Sequence, residues 1–472
     1  TLTFIGIGAI DDFSVKAPDT FDEEQQATLD QVPIIDQRST TVGLSWKRNY
    51  KSGKGFMTTA LSTNRLENIF SRYEDNTTKT GTIFQNDSYE WETKLRYQTT
   101  HFIDQWKWAA GFNLQKSSYK NNTVFNYYNI SYNTTLNFAK YGLFVKGSRK
   151  LFNDRMNLSL GLRTDADSFS QGSNLVDNIS PRVAFSYSLS ESQQWKINAS
   201  VGRYFKMPTY TMLGFQDSRS LFANKDASYV QSDHYVAGLE YNLTPISRVT
   251  VEGFLKNYAN YPISVIDGVS LANKGGGFEV LGNEEILSEG TGQSKGVELL
   301  FQQKLSNNFY GVFAYTYFFS NFTGIDKVSR PSVWDSRHLI SFSGGYKLKR
   351  SWEVSARWRY AGKNPYVPTN LEASIDSYPE IILDYDRLGE VTLNSFSQAD
   401  IRFDKKWNFK NLSFNLYFEV QNFLAQPNPT PEQYGLNRNL NGEIILPRSL
   451  VPVSTNEGNN TPLPSFGFVL YF

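Results

Sequence analysis

The sequence predicts an all-β protein: a single transmembrane, antiparallel up-and-down β-barrel spanning residues 1–472, with about eighteen strands. Three observations carry that prediction. Apolar and polar residues alternate in segment after segment. The connections between those segments alternate short and long. Aromatic residues (28 Tyr, 35 Phe and 9 Trp) make up 15% of the chain, as the interfacial girdles of membrane barrels require.

The alternation has a period of two, the period of a strand. In chain order the segments fall near 1–10, 38–49, 54–65, 88–99, 105–117 and 136–148. Next come 153–166, 180–190, 194–205, 232–243, 246–258 and 294–305, and finally 308–321, 337–349, 351–362, 397–408, 411–423 and 464–472. Each is close to the roughly 9–11 residues that cross a bilayer at a tilt. Met156, Leu158, Leu160 and Leu162 alternate with Asn157, Ser159, Gly161 and Arg163. Leu412, Phe414, Leu416, Phe418 and Val420 alternate with Ser413, Asn415, Tyr417, Glu419 and Gln421. The aromatic run from Phe309 to Phe322 is interleaved with small polar residues and reads as a strand. No apolar run approaches the roughly 18 residues of a spanning helix, and a mean hydropathy of −0.44 is too polar for a helical membrane protein.

The connections keep a two-beat rhythm: 50–53 short, 66–87 long, 100–104 short, 118–135 long. It continues through 149–152, 167–179, 191–193, 206–231, 244–245, 259–293, 306–307, 322–336, 350, 363–396, 409–410 and 424–463. Sandwiches and propellers lack this pattern, whereas outer-membrane barrels have tight periplasmic turns and long outer loops. The last strand therefore runs down to the periplasm and the first runs up from it. Eighteen strands could close as a complete channel, or they could be the last eighteen of a plugged barrel of about 22. Thr1 opens directly in a strand, so either a leader has been removed or the chain starts partway through a longer protein.

If the apolar face meets lipid, the other face lines the lumen. It would carry Glu92, Lys94, Arg96, Arg163, Arg203, Glu240, Glu252, Lys256, Glu298, Arg357, Arg359, Asp400, Arg402 and Glu419. A charge on the lipid side at mid-depth costs about 2–4 kcal/mol, so this segregation supports the facing. Interleaved charges of both signs suit a lumen that holds a polar plug, although any water-filled lumen tolerates them.

Enzymatic chemistry is not indicated, and the reading implies no cofactor or metal. His101, His234 and His338 lie in separate hairpins without ligand-like neighbours. No G-x-S-x-G elbow, P-loop or H-E-x-x-H occurs. Gly290–Gly296 looks phosphate-like but enters a strand, and Asp384-Tyr-Asp386 reads as a solvated pair. A net charge of +1 carries no nucleic-acid footprint, and the absence of cysteine excludes a disulfide scaffold.

The chain ends on Ser465-Phe-Gly467-Phe-Val-Leu470-Tyr-Phe472, an alternating strand with a bare aromatic terminus. Ser465, Gly467, Leu470 and Phe472 resemble the signal that barrel-assembly machinery reads for insertion into outer-membrane lipid.

Several stretches resemble TonB-dependent receptors of the Bacteroidetes type. They are Gly202-Arg-Tyr-Phe-Lys-Met-Pro208 onward, Ser294-Lys-Gly296-Val-Glu298, Trp334-Asp-Ser-Arg337-His338 through Gly345-Tyr346, and Trp352 through Pro368. Gln398-Ala-Asp400-Ile-Arg402 and Glu419-Val-Gln-Asn422 match the strands before the end. The resemblance covers roughly the last 270 residues. It implies energised uptake of a scarce or bulky nutrient: a siderophore, cobalamin, a glycan or a peptide. A TonB-type protein would pull on an N-terminal box to remodel a plug, and a surface lipoprotein could sit on the outer loops. This sequence departs from the pattern at its start, where the plug, the box and about four strands would be missing from a barrel of about 22. Tyr204, Lys206, Tyr210, Phe215, Arg219, Trp334, Arg337 and Tyr366 are the expected ligand contacts, since aromatic and Arg side chains concentrate at binding hot spots. A passive eighteen-strand channel would instead pair its first strand with its last and fold a loop inward. A structural subunit of an outer-membrane complex would copurify with partners.

Overall fold

The computed structural model describes residues 1–170, 174–274, 280–454 and 460–472, so parts of the predicted connections 167–179, 259–293 and 424–463 lie outside the described residues. Eighteen long strands form one antiparallel meander. They are β1 (Leu2–Phe13), β2 (Ile34–Asn49), β3 (Gly55–Asp75), β4 (Thr80–Ile103), β5 (Trp106–Phe125) and β6 (Ile130–Leu151). Then come β7 (Met156–Asp167), β8 (Ser180–Ser188), β9 (Trp195–Lys206), β10 (Val230–Thr244), β11 (Ser247–Ser264) and β12 (Ile286–Ser306). The last six are β13 (Phe309–Thr323), β14 (His338–Lys347), β15 (Trp352–Ala361), β16 (Phe396–Asn408), β17 (Ser413–Gln421) and β18 (Leu463–Tyr471). Each pairs with the next in sequence, and a three-residue strand, Ser329–Pro331, adds to the outer end of β13 as a nineteenth member of the sheet.

The register confirms two faces. The row Leu239–Val251–Leu299 is outward and apolar, whereas Glu240–Thr250 and Glu252–Glu298 face inward beside it. At the chain's end Phe414, Leu416 and Phe418 oppose Leu470, Phe468 and Phe466 outward, while Tyr417 opposes Gly467 inward. A side chain at Gly467 would collide with the Tyr417 phenol, its Cβ falling 2.4 Å from the oxygen, so the glycine makes room for the inward ring. Ser465 shares that inward face, and Leu470 and Phe472 lie on the outward one.

Three features depart from expectation. The connections 66–87 and 118–135 are not long loops: β3 and β4 run on to a turn at 76–79, and β5 and β6 to one at 126–129. These extensions stand above the hydrophobic band, where the outer face meets water and the inner one packs on loops, so the polar–apolar alternation fades while β-forming Thr, Tyr, Phe and Val maintain the ladder. Between β1 and β2 stands a helix, α1 (Glu23–Gln31), whose N-cap Asp22 accepts a hydrogen bond from the Gln25 amide. Arg203, assigned to the lumen, points outward: it follows the phase of Ala199 and Val201 and lies in the row Arg203–Asp233–Asn257–Gln293. It sits near the outer end of β9, above the apolar band, where its ion pair with Asp233 (2.7 Å) replaces the lumen as a source of counter-charge.

The two ends of the sheet meet through their outer loops. Helix α1, which follows β1, packs on the hairpin Gln433–Leu436/Leu450–Ser454, which precedes β18. Gln31 donates to the Tyr434 carbonyl (2.6 Å), Asp30 pairs with Arg438 (3.4 Å), and Asn76 donates to the Leu29 carbonyl (2.6 Å). Among the described residues, β1 pairs with β2 alone and β18 with β17 alone, so the strand-to-strand seam of a complete eighteen-strand channel is not formed.

The facing predicts an asymmetric response to charge. Val251→Arg should cost about 2–4 kcal/mol of folding free energy in lipid vesicles, whereas Thr250→Arg, one residue along and beside Glu240, should cost under about 1 kcal/mol. Equal costs in urea unfolding would contradict the assigned faces.

Candidate functional site

Two of the chain's own outer loops fold against the inner wall at the mouth of the lumen. The β9–β10 connection carries a short helix, α2 (Tyr210–Gly214), begun by Thr209, whose hydroxyl accepts from the Met212 amide. Leu213 and Met212 are buried against Leu136, Phe138 and Tyr119, inward residues of β5 and β6. The polar core of this cap is a knot on the inner wall. Lys140 donates to the Tyr210 phenol, which donates to the Glu92 carboxylate; Lys140 itself (3.2 Å), Gln115 (2.6 Å) and Lys94 (2.5 Å) also bond that carboxylate. Burial raises the Tyr210 phenol well above its ordinary value, and the Glu92 hydrogen bond adds to the rise, so the group stays protonated and donating.

A second connection laces onto the first. Asn224 of β9–β10 donates to the Met212 and Glu284 carbonyls and accepts from the Ile286 amide (2.9, 2.8 and 2.9 Å). Asn283 of β11–β12 accepts from Tyr132 on β6 (2.7 Å). Within β11–β12, Lys274 is held between Asp267 (2.6 Å) and Glu284 (2.7 Å). Burial pulls its ammonium down, but the two carboxylates more than reverse that, so its pKa lies above the usual lysine value. The contribution of the Lys274 ammonium is present throughout the neutral range and is lost as pH rises through that elevated pKa.

Above the cap lies a vestibule of about 170 Å³, lined by Arg72, Phe84, Phe125, Tyr128, Lys274 and Tyr385 among others. Arg72 of β3 pairs with Glu380 of the β15–β16 connection, which also contains α3 (Leu371–Ser377). Phe84 and Phe125 meet edge to face at 5.2 Å, and Tyr128 continues the aromatic wall at 4.8 Å from Phe125. Aromatic rings beside paired charges suit an amphipathic ligand.

None of the eight expected ligand contacts lines this vestibule. Tyr210 and Phe215 come together in the cap, both nearly buried, with Phe215 edge-on to Tyr132 (5.5 Å). Tyr204 points into the lumen below the cap, and Lys206 is exposed at the end of β9. Arg219 lies on the same connection and pairs with Asp217 (2.7 Å). Trp334 is exposed on the next outer loop but one. Arg337, at φ 63°, pairs with Asp335 (3.1 Å) and stacks on Phe319 (4.1 Å). Tyr366 lies in the two-residue strand Pro365–Tyr366, opposite Val391–Thr392. Sequence reasoning missed Arg72, Phe84, Phe125 and Lys274 because they were read as parts of featureless loops.

The lumen charges are mostly satisfied within the wall. Arg163 chelates Asp165 (2.5 Å), Glu240 takes Lys196 (3.2 Å) and Arg248 (3.7 Å), and Arg357 and Arg359 share Asp400 (2.7 and 3.9 Å). Arg402 bridges Asp404 (2.7 Å) and Glu419 (3.8 Å), and Glu298 faces Glu252 across β11–β12. Arg96 faces inward with no ion pair among the described residues.

A family model described as "TonB dependent receptor-like, beta-barrel" matches residues 5–423. The chain belongs to that family. It is therefore an integral β-barrel of the bacterial outer membrane, in a family of transport receptors rather than enzymes. Solved structures agree in fold. The pyoverdine outer membrane receptor FpvA from Pseudomonas aeruginosa PAO1 superposes with a TM-score of 0.63 at 14% identity, over 93% of this chain and 62% of that one. The ferric-catecholate import receptor Fiu from E. coli K12 gives 0.63 at 10% identity over 100% and 72%, and the copper transporter OprC gives 0.60 at 14% over 92% and 66%. The chain spans between about half and two thirds of the length of several of these receptors, for example 55% of FpvAI in its pyocin S2 complex. No curated protein matches the chain by sequence.

The knot sets the position of the β9–β10 cap. Tyr210→Phe keeps the ring but removes the hydrogen bonds to Glu92 and Lys140, and should lower the free energy of local opening by about 1.5–3 kcal/mol. Hydrogen exchange at residues 207–229 would show it as faster exchange, and unchanged protection would mean that apolar packing alone holds the cap.

Proposed function

We infer that this chain is the barrel of a receptor that captures a scarce or bulky nutrient at its outer loops and imports it with energy from a TonB-type partner at the periplasmic side. The observation carrying this reading is the cap: two outer connections fold into the mouth of the lumen and are bonded to its wall, with a small vestibule above them. A mouth narrowed in this way suits a receptor whose cargo passes by remodelling better than a free-diffusion pore. A constricted passive channel would also fold a loop inward, but it would close its sheet, and the free edges of β1 and β18 weigh against it. We read those edges as the places where further strands complete a barrel of about 22 around a plug.

The cargo belongs to the class of siderophores, cobalamin, glycans and peptides. The structural neighbours, receptors for pyoverdine and ferric catecholates and a copper transporter, favour a metal chelate within it. The Phe84–Phe125–Tyr128 wall and the Arg72 and Lys274 charges would hold it, with Tyr204, Lys206, Arg219, Trp334, Arg337 and Tyr366 as contacts during entry. Tyr210 and Phe215 would act through the cap they anchor. The barrel-assembly machinery would read Ser465, Gly467, Leu470 and Phe472. A surface lipoprotein would meet the outer rim at Leu440 and Leu446, which are exposed on the 437–449 loop.

The test is uptake by cells that express the full-length protein, fed ferric siderophores, cobalamin, glycans or peptides in turn. Uptake of one class should depend on the receptor, fall at least tenfold when the inner-membrane potential is collapsed, and fall similarly in Phe125→Ala/Tyr128→Ala. Uptake that survives loss of the potential would establish a passive channel instead.

A further inference from the structure

Below the cap, the inner wall formed by β4 to β9 contains a second cavity, of about 360 Å³, whose chemistry differs from that of the rest of the lumen. Its floor is made of small side chains. Ser159, Ala184 and Ser200 form one row across β7, β8 and β9, and Gly161 and Gly202 flank Arg182 in the next. Its rim carries Arg96, Lys146, Arg163 and Arg182. The register explains why they converge: Lys146 and Arg182 are the partners of Gly161 on its two sides, so both cations overlook a position with no side chain.

No carboxylate lines this cavity. Arg163 is neutralised by Asp165 (2.5 Å), but among the described residues Arg96, Lys146 and Arg182 have no acidic partner. Elsewhere on the inner wall most cations stand on a carboxylate, as Arg357 does on Asp400 and Arg402 on Asp404. The Nε of Arg182 is buried without a hydrogen bond, as are those of Arg72, Arg149 and Arg359, so the outer nitrogens of its guanidinium are the ones left for a solute. Its guanidinium is fixed in place, stacked 4.3 Å from the centre of the Tyr204 ring, which in turn packs 4.6 Å from His234. The glycine at 202 makes this possible, since a Cβ there would stand 3.1 Å from the Tyr204 ring and 3.3 Å from the Arg182 stem. Natural interiors seldom leave a buried donor without an acceptor. The space is bounded by three positive charges that have no acidic partner among the described residues, and the wall beside them concentrates their field.

We propose that this cavity is an oxyanion site: it binds a carboxylate or phosphate group of a small solute, through Arg96, Lys146 and the Arg182 fork, with Ser159 and Ser200 beneath. The fork of an arginine matches the two oxygens of either group. The site is a property of the wall; under the uptake reading above it serves a solute that passes between the wall and the plug. Its place on the inner wall, below the Glu92–Tyr210–Lys140 knot, puts it in the path of a solute that has passed the cap.

The test is calorimetric titration of the full chain, folded in detergent at low ionic strength, with citrate and separately with inorganic phosphate. Saturable binding of at least one is expected, weakening as salt is added. Arg96→Gln/Lys146→Gln should weaken it at least tenfold, and Arg96→Lys/Lys146→Arg should retain it. Arg182→Gln should weaken it as well. Arg248→Gln/Lys406→Gln removes the same charge from the inner wall elsewhere and should leave it unchanged. Heat-modifiable mobility on gels verifies that each variant is folded. The proposal is overturned by no binding of either anion to the parent chain, by undiminished binding in the Arg96/Lys146 glutamine variant, or by equal loss in the Arg248/Lys406 control.

Discussion

Inside hydrocarbon, a backbone N–H or C=O without a partner costs several kcal/mol, and water is not there to supply one. The long strands of this chain meet that constraint by pairing with their neighbours in sequence, and among the described residues only the outer edges of β1 and β18 are left without a strand. The side chains then divide by parity. Rows such as Leu239–Val251–Leu299 face the hydrocarbon, and rows such as Glu240–Thr250 face a wet interior. The inward charges are affordable only because of that division, and the ion pairs of Arg357, Arg402 and Arg163 depend on it.

Where the constraint ends, the architecture changes. Above the apolar band the wall continues as the tall hairpins β3–β4 and β5–β6, and loops from distant parts of the chain fold against it. The cap is built from what the wall offers there: apolar inward residues, Tyr119, Leu136 and Phe138, and one carboxylate, Glu92, that accepts the Tyr210 phenol. A short helix with a single side-chain cap would be marginal alone. It holds its shape because Leu213 is fully buried against that wall. Outer connections from the two ends of the sheet likewise find each other, α1 meeting the hairpin before β18, so the rim closes where the strands do not.

The barrel was readable because the signal is strict and repeated. Leu158, Leu160 and Leu162 against Ser159, Gly161 and Arg163 can be nothing but a two-faced strand, and all eighteen long strands overlap their predicted segments. What failed was parity near the strand ends and everything above the membrane. Arg203 was assigned by its charge, although the phase of Ala199 and Val201 already put it outward. Tyr210 and Phe215 looked like ligand contacts because they are aromatic and lie in a loop; their burial is a tertiary fact, set by β5 and β6, whose bonds to Tyr210 span 93 and 70 residues. Arg72 and Lys274 gave no local signal at all, since their partners, Glu380 and Glu284, are brought to them only by the folding of the loops.

The division into two faces is open to direct measurement, because the chain has no cysteine and each position can be given one alone. Single cysteines along β7, from position 156 to 163, in barrels reconstituted in lipid vesicles, would be challenged with a water-soluble, membrane-impermeant thiol reagent. The account predicts fast labelling at 157, 159, 161 and 163, slow labelling at 156, 158, 160 and 162, and the reverse order with a lipid-soluble quencher. Labelling that is uniform along the strand, or that follows a period other than two, would contradict it.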